Sequence, residues 1–277
     1  MDVLSNITKE YKVLDHGSLR IVDVMPRLVQ KDHTADSAIV QMARVSYGEG
    51  TKTLSDDTTL IRYLMRHQHW TPFEGVELKF HIVCPLFVAR QIHRHRTASI
   101  NEYSLRYSLF KDRFYVPEKL NKQSKNNKQG SANETIGPDN SYMLDPSEQY
   151  KKYNELIKLG VSREQARIIL PMSAYTEFYW KCDLRNVFNF IKLRIDQHAQ
   201  YEIRVYAEAM LKIVRQIVPI ATQAFEDYIL NSITLSALEI KSYVTESLSV
   251  FNNKREKEEF KNKMINVLNK TVLEHPV

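Results

Sequence analysis

The longest regular pattern in the chain is helical, and it constrains the fold more than any other segment. Residues 184 to 217 repeat apolar side chains at helical spacing, and the pattern ends at Pro219. Residues 220 to 230 are predicted to be helical as well. Because such a stripe must be covered, this helical region has to pack against other elements.

Two segments alternate polar and apolar side chains as strands do: residues 18 to 25 and residues 76 to 84, the second stopped by Pro85. Shorter helices are predicted at 35 to 47, 56 to 68 and 86 to 93, and two more lie within 146 to 170, separated at Gly160. Residues 69 to 75 are predicted to be a loop, and residues 172 to 180 are strand-like or irregular. The pattern predicts an α+β fold, in which a central mixed or antiparallel sheet is flanked by helices in a single large domain, residues 1 to 230.

Two segments stand apart from this domain. Residues 121 to 141 are rich in Asn, Lys, Ser and Gln, which predicts a loop or a disordered insertion. Residues 231 to 277 are predicted to be a helical C-terminal extension, because apolar residues recur there at helical spacing: Phe260, Met264, Val267, Leu268 and Val272. We interpret it as a packing or assembly helix.

Composition excludes some functions and leaves others open. No apolar run approaches the length of a membrane span and the first residues lack a signal peptide, so we expect a cytoplasmic protein without a membrane partner. Cys84 and Cys182 lack metal-ligand spacing, and we expect buried thiols and no metal site. The net charge of +6 is compatible with anionic ligands from a mononucleotide to RNA. With only seven glycines and no glycine-rich phosphate loop, any nucleotide must be held by side chains.

Residues 90 to 108 concentrate positive charge. The stretch "RQIHRHRTASINEYSLRYS" has four arginines and two histidines but one acid, Glu102. Gln91 and Arg94 share a helix face. Residues 101 to 108 are predicted to be extended, so that Glu102, Ser104 and Arg106 point to one side. This arrangement suits phosphate recognition by arginine, and the alternative is a solvated charged face.

A second concentration lies in the long helical region. Arg194 and His198 are four residues apart at the edge of an apolar stripe, and burying an arginine without a partner costs several kcal/mol, so a bound anion is favoured there. The alternative for His198 is a core histidine with an internal partner. Three groups are weaker candidates. The 69-to-75 loop contributes His69, Thr71 and Glu74, and Arg167 lies just before Pro171. Arg185 and Asn189 are four residues apart in the long helical region.

Together these segments resemble one family, the flavin-dependent thymidylate synthases. Its signature is Arg-His-Arg, seven residues and Ser, which here is Arg94-His95-Arg96, "TASINEY" and Ser104. Further blocks resemble the family in its order: "ARVSY" (43 to 47), "HWTPFEG" (69 to 75), "FVARQ" (87 to 91), "ARIILP" (166 to 171) and "NFIKLRIDQHAQYEI" (189 to 203). The resemblance extends over roughly residues 17 to 228.

The resemblance implies an activity and its partners. A family member converts dUMP to dTMP, takes the carbon from 5,10-methylenetetrahydrofolate and takes reducing equivalents from NADPH through bound FAD, without a cysteine nucleophile. Members are homotetramers with active sites built from several subunits. No nucleic acid is expected as a partner.

The resemblance also implies site residues. On the FAD side these are Ser46, Thr71, Glu74, Arg94, His95, Arg96, Glu102, Arg185, Asn189 and His198. On the dUMP side these are Gln91, Arg94, Glu102, Ser104, Arg106, Arg167, Leu193 and Arg194. The catalytic residues are Arg194, which would stabilise negative charge on the uracil, and His69, near the flavin ring. Ser104 is expected to orient the nucleotide, because no base beside it is evident in the sequence.

Two positions depart from the family pattern, and two alternatives stay open. Asp183 stands where some members have asparagine, and Gly75 where others have histidine. One alternative is a nucleic-acid-binding protein that stacks bases on Tyr103 and Tyr107, with salt-dependent affinity. The other is a flavin-binding or assembly protein without catalysis.

Overall fold

The structure, a computed structural model, describes residues 9–27, 34–46, 56–125, 128–136 and 144–274, without the side chains of residue 133 and residues 266–274. The chain divides into two compact units, Met1–Leu230 and Asn231–Val277. Because the first unit contains the described sheets and most of the helices, it determines the fold class.

Within the described residues, five strands form one antiparallel sheet in the order β1-β2-β3-β7-β4. The strands are β1 (Tyr11–Val13), β2 (Gly17–Met25), β3 (Glu77–Pro85), β4 (Ser99–Glu102) and β7 (Tyr175–Asp183). The predicted α+β class is confirmed, and the sheet is the antiparallel one of the two kinds expected. The strand-like segment at 172 to 180 is β7.

The helices of the first unit lie mainly against one face of this sheet. They are α1 (Asp36–Arg44), α2 (Asp57–Arg66), α3 (Leu86–Ile92), α4 (Ser147–Lys158), α5 (Arg163–Ala166), α6 (Leu184–Arg194), α7 (Tyr201–Ile217) and α8 (Pro219–Phe225), which a π-helical turn (Glu226–Leu230) follows. Leu78, Phe80 and Ile82 on β3 are buried in this layer. The intervening Lys79 and His81 lie on the opposite, polar face, as the two-residue period of a strand requires.

The longest helix of the first unit, α7, crosses the sheet at a contact that only glycine allows. The Tyr206 hydroxyl donates to the Val83 carbonyl at 2.7 Å, and a Cβ added to Gly17 would lie 2.1 Å from that hydroxyl oxygen. Gly17 therefore lets the β1–β2 turn approach the helix closely.

The prediction of helix throughout residues 184 to 217 was wrong at residues 195–200, where α6 and α7 are separated by a turn. Asp196 Oδ1 accepts the backbone N–H of His198 at 2.8 Å. A short acidic side chain that bonds to the backbone in this way competes with the helical hydrogen bonds.

Three other local predictions were wrong. Residues 71–75 form a 3-10 helix rather than a loop. The extended chain expected at 101–108 stops at Glu102 and turns. The polar insertion is not structureless, since β5 (Asn121–Gln123) and β6 (Ser131–Thr135) pair as an antiparallel hairpin, which backbone hydrogen bonds and a Lys122–Glu134 ion pair hold together.

The second unit contains α9 (Ala237–Val244) and α10 (Lys254–Glu274). Ser236 and Glu239 form a capping box at the start of α9, and Lys263 on α10 donates to the Thr234 carbonyl at 3.1 Å. Phe260 is buried and its ring contacts that of Phe251. Side chains at the predicted positions Val267, Leu268 and Val272 lie outside the described residues. In the described part of the chain, no helix combines the length and the apolar character that crossing a membrane requires.

Candidate functional site

The first cluster of predicted site residues lies where the 3-10 helix meets α6, and we call it the turn cluster (His69, Thr71, Glu74, Arg185). Glu74 Oε1 accepts from Arg185 Nη1 at 2.6 Å. Leu184 N donates to the Val76 carbonyl at 2.8 Å, which holds the start of α6 against the end of the 3-10 helix. Because both charged side chains are largely exposed, their ion pair stabilises the fold little and can reorganise around a ligand.

The start of α6 depends on Asp183, which occupies the N-cap. Its carboxylate accepts from the backbone N–H of Asn186 at 3.0 Å and from the Asn186 side chain at 2.7 Å. Asp183 thus has a structural role, which an asparagine at this position could also perform. Sequence analysis missed the cap, although an acidic residue directly before a predicted helix was a signal for it.

The other side of the turn cluster presents aromatic rings. Gln68 has a φ of 56°, in the left-handed region, between two exposed histidines. The Tyr63 ring lies 4.4 Å from that of His67 and 5.9 Å from that of His69, measured between centroids. This conformation ends α2, because Gln68 N donates to the Met65 carbonyl at 3.1 Å and His69 N donates to the Leu64 carbonyl at 2.9 Å, a common helix C-terminus.

Gly75 is the last residue of the 3-10 helix and packs against Met42 of α1. A Cβ built at Gly75 would lie 2.5 Å from Met42 Cγ. A histidine at this position would therefore require Met42 to move. This second departure is a packing adjustment between two neighbouring elements.

The second cluster, the arginine–histidine pair, consists of Arg194 at the end of α6 and His95 from the positively charged residues 90 to 108. Arg194 Nε donates to His95 Nε2 at 3.2 Å, and the His95 ring stands edge-to-face on Phe190 at 4.8 Å. Burial, and then the charge of Arg194, lower the pKa of His95 to about 4. Burial also lowers the pKa of Arg194. No carboxylate among the described residues pairs with Arg194, so its positive charge is partly desolvated and uncompensated.

His198 does not join this pair, which corrects the prediction that it shares a face with Arg194. Its side chain is 81% exposed on the turn after α6, where its Nδ1 lies 2.8 Å from Asp196 Oδ1. The helix break described above moves it off the apolar stripe. Any role of His198 in binding is therefore one of an exposed residue.

The third cluster, the 104–107 turn with its neighbours, contains Ser104, Arg106 and Arg167. Ser104 Oγ accepts the backbone N–H of Arg106 at 3.3 Å, so the expected alternation of side chains on an extended chain is wrong. Arg106 pairs with Glu164 at 3.2 Å, and Arg163 donates to the Tyr107 carbonyl. These contacts bring the turn against residues 163–167, where Arg167 is exposed. Among the described residues no histidine or carboxylate bonds to Ser104, and its role in orienting a ligand stays a prediction.

The remaining predicted residues are distributed between these clusters. Arg94 and Arg96 are exposed, and no carboxylate of the described segments pairs with them; Ser46, Asn189 and Leu193 are exposed too. Glu102 accepts from Thr176 Oγ1 at 2.7 Å, and Gln91 Nε2 donates to Gln200 Oε1 at 2.6 Å. Thr176 and Gln200 were missed, because nothing in the local sequence places them beside these partners.

The first two clusters lie at opposite ends of α6. Arg185 and Arg194 are nine residues apart on α6, about 13 Å along the axis at 1.5 Å per residue. Through the described parts of the chain, no hydrogen bond or ion pair joins the third cluster to the other two. One copy of the chain thus presents these arginines in sets that no hydrogen bond or ion pair of the described residues connects.

Thiol and metal chemistry have little support at these clusters. Cys84 and Cys182 are buried in the core, where burial raises the pKa of Cys84 well above its ordinary value and that of Cys182 to about 12. Neither therefore supplies a reactive thiolate. Within the residues that the structure describes, no group of three or more histidine, cysteine or carboxylate side chains could hold a metal ion.

Comparisons with known proteins agree on one family. The family described as "Thymidylate synthase complementing protein" matches residues 27–220. A flavin-dependent thymidylate synthase of Dictyostelium discoideum is 52% identical over 261 residues, which cover 92% of this chain and 86% of that protein. One of Wolbachia pipientis wMel is 53% identical over 236 residues, with coverages of 82% and 80%. The chain is also similar to the crystal structure of a UMP/dUMP methylase, PolB from Streptomyces cacaoi, bound with 5-Br dUMP. The two share 29% sequence identity and superpose with a TM-score of 0.67, over 80% of this chain and 100% of the PolB chain.

Proposed function

Because the chain belongs to the family of flavin-dependent thymidylate synthases, we propose that it converts dUMP to dTMP with a bound flavin. The carbon donor is 5,10-methylenetetrahydrofolate, and NADPH supplies the reducing equivalents through FAD. Two findings support this proposal: relatives at about half identity carry the family name, and a structural relative was crystallised with a brominated dUMP.

The observation that supports the proposal most directly is the uncompensated charge of Arg194. A part-buried guanidinium without a carboxylate among the described residues is stabilised by an anionic ligand. In the proposed reaction Arg194 lies against the pyrimidine and stabilises the negative charge that develops on it. The buried thiols fit this assignment, because activation of the ring then needs no cysteine nucleophile.

The proposed nucleotide site contains the 104–107 turn. Arg106 and Arg167 bind the phosphate of dUMP and Ser104 orients it, because arginine donates paired hydrogen bonds to phosphate oxygens. The proposed dUMP residues are Gln91, Arg94, Glu102, Ser104, Arg106, Arg167, Leu193 and Arg194.

The residues present also fit FAD. A dinucleotide needs cations for its pyrophosphate, and Arg94 and Arg96 are exposed guanidiniums with no described carboxylate partner. The chemistry that FAD supplies when bound is hydride transfer. The residues that would hold it are Ser46, Thr71, Glu74, Arg94, His95, Arg96, Glu102, Arg185, Asn189 and His198, with His69 near the ring.

We further propose a homotetramer in which different copies complete each active site. The family resemblance implies this assembly, and the separation of the first two clusters along α6 is compatible with it. Light scattering is expected to give about four times the chain mass of 32.5 kDa. A monomer that forms dTMP at full rate would contradict the shared site.

The first experiment is the absorbance spectrum of the purified protein, without oxygen, before and after addition of NADPH and dUMP. A flavin spectrum that bleaches, followed by formation of dTMP that requires methylenetetrahydrofolate, is the expected result. A colourless protein that takes up no FAD would contradict the proposal and favour nucleic-acid binding by the arginines.

Arg194→Ala is expected to lower dTMP formation by about 100-fold or more, because one preorganised charge at the reacting ring is removed. The measurement is turnover at saturating substrates, together with flavin content and thermal unfolding. Lys192→Ala is the matched control, since it removes a cation from an exposed position of the same helix. Unchanged turnover in Arg194→Ala would remove this residue from the mechanism.

A further inference from the structure

The contact between His95 and Arg194 uses one particular face of the guanidinium. An arginine side chain offers two bidentate faces, one made of Nε–H and an Nη–H and one made of the two Nη–H groups at its end. Arg194 Nε donates to His95 Nε2 at 3.2 Å, and no acceptor from the described residues bonds to its Nη atoms. The histidine therefore blocks the first face and leaves the end-on face free.

From this geometry we infer that His95 is a positioning residue, which holds Arg194 so that only its end-on Nη–H pair meets the nucleotide. The inference rests on the proposed function, because the ligand is taken to be the pyrimidine of dUMP. That ring presents a carbonyl oxygen and the adjacent ring nitrogen in one plane. In the neutral ring only the oxygen accepts, because the nitrogen carries a proton, and both accept once the ring is negatively charged. Two parallel donors match these two acceptors, whereas a rotated guanidinium does not.

His95 can perform this role only as a neutral acceptor. Its Nε2 must keep a lone pair for Arg194, so its proton resides on Nδ1. Burial, and then the Arg194 charge, lower the pKa of His95 to about 4, and the edge-to-face contact with Phe190 fixes the ring plane. The other charged groups in its segment, Arg94 and Arg96, are also cations. The pair is thus expected to stay intact throughout the neutral pH range.

The test compares two substitutions of His95. His95→Gln retains an acceptor at a similar reach, whereas His95→Met fills the space without a strong acceptor. The dissociation constant of dUMP is measured from the change in flavin absorbance of the oxidised enzyme, so that no turnover is needed. His95→Met is expected to weaken dUMP binding about tenfold or more and His95→Gln by less than about threefold, as for loss or retention of a hydrogen bond to a charged group.

Two controls separate positioning from a general loss of structure. His93→Met makes the same change two residues away, where the His93 ring contacts Phe178 and its Nε2 has no hydrogen-bond partner among the described residues. It is expected to leave the dUMP affinity unchanged. In an Arg194→Lys background, His95→Met is expected to add no further loss, because the group that it positions is gone.

A ligand-independent readout is the nitrogen NMR spectrum of His95, in which the neutral tautomer with the proton on Nδ1 is expected. The inference would be overturned if His95→Met bound dUMP with wild-type affinity at full flavin occupancy. Additive losses of affinity in the double variant, or the opposite tautomer of His95, would overturn it too. A wild-type protein whose flavin does not respond to dUMP would instead refute the proposed function, so the two failures are distinguishable.

Discussion

At the scale of single residues, buried charge in this chain is matched to backbone donors. Asp36 is 3% exposed, and its carboxylate accepts from Ala221 N at 2.9 Å and Ile220 N at 3.1 Å, the first N–H groups of α8. Burial raises the pKa of Asp36, and the hydrogen bonds from Ala221 and Ile220 offset part of this shift. One buried carboxylate thus connects α1 to α8, and the two backbone hydrogen bonds offset only part of the effect of its burial.

Asp36→Ala is expected to lower the free energy of unfolding by about 1–3 kcal/mol, since two buried N–H groups lose their acceptor. Asp36→Asn keeps one acceptor oxygen and should lose less. Because the folded pKa is raised, the folded state binds the proton more tightly, and wild-type stability falls as pH rises from the ordinary aspartate range through that pKa.

Urea unfolding at several pH values checks this prediction, and Asp36→Asn should lack that part of the pH dependence. Asp57→Asn is the control, because it removes the charge of Asp57 from its ion pair with Arg44. It should lower the free energy of unfolding by less than about 1 kcal/mol. Parallel pH profiles for Asp36→Asn and the wild type would show that Asp36 does not titrate in this way.

At the scale of elements, α6 organises two of the three clusters. Its first turn carries Arg185, which bonds to Glu74, and its last residue is Arg194, which bonds to His95. The Asp183 cap and the bond from Leu184 N to the Val76 carbonyl define where this helix begins. The distance between the two clusters therefore depends on where α6 begins and ends.

Asp183→Ala is expected to destabilise the protein by about 1 kcal/mol, because the N–H of Asn186 loses its acceptor. It is also expected to reduce flavin retention, since Arg185 is in the turn that loosens. Asp183→Asn restores an N-cap and serves as the matched control. Thermal unfolding and flavin content per chain measure the two effects. Equal flavin content in the wild type, Asp183→Ala and Asp183→Asn would show that the cap does not affect flavin binding.

At the scale of the whole molecule, the chain divides into two units, and the family model matches residues of the first. The family match covers residues 27–220, and the five strands of the described antiparallel sheet all lie in Met1–Leu230. The second unit has internal contacts of its own, including the Phe251–Phe260 ring contact. The residues proposed for catalysis and binding all lie in the first unit.

A chain that ends at Leu230 is expected to fold and to bind flavin and dUMP, because every proposed site residue and the described strands are retained. Circular dichroism, flavin absorbance and light scattering measure this result. Loss of the tetramer with intact secondary structure would assign an assembly role to residues 231–277. An unfolded product would show that the first unit requires the second.

Much of this protein was predictable from its sequence, because the information was local. Alternating side chains predicted β2 and β3, and the Arg94-His95-Arg96 and Ser104 pattern predicted the family that the comparisons confirm. The roles of the individual site residues stay predictions, since they rest on the proposed function. Local patterns succeed where a residue's environment is determined by its chain neighbours.

Only the tertiary structure decided which of the site residues lie together. The bond between His95 and Arg194 joins residues 99 positions apart, and the break after α6 leaves His198 exposed. The turn at Ser104 and the hairpin in the polar insertion depend instead on hydrogen bonds between residues close in the chain, which periodicity does not reveal. Periodicity reports which residues prefer burial, whereas the partner that each polar group finds depends on how distant segments pack against each other.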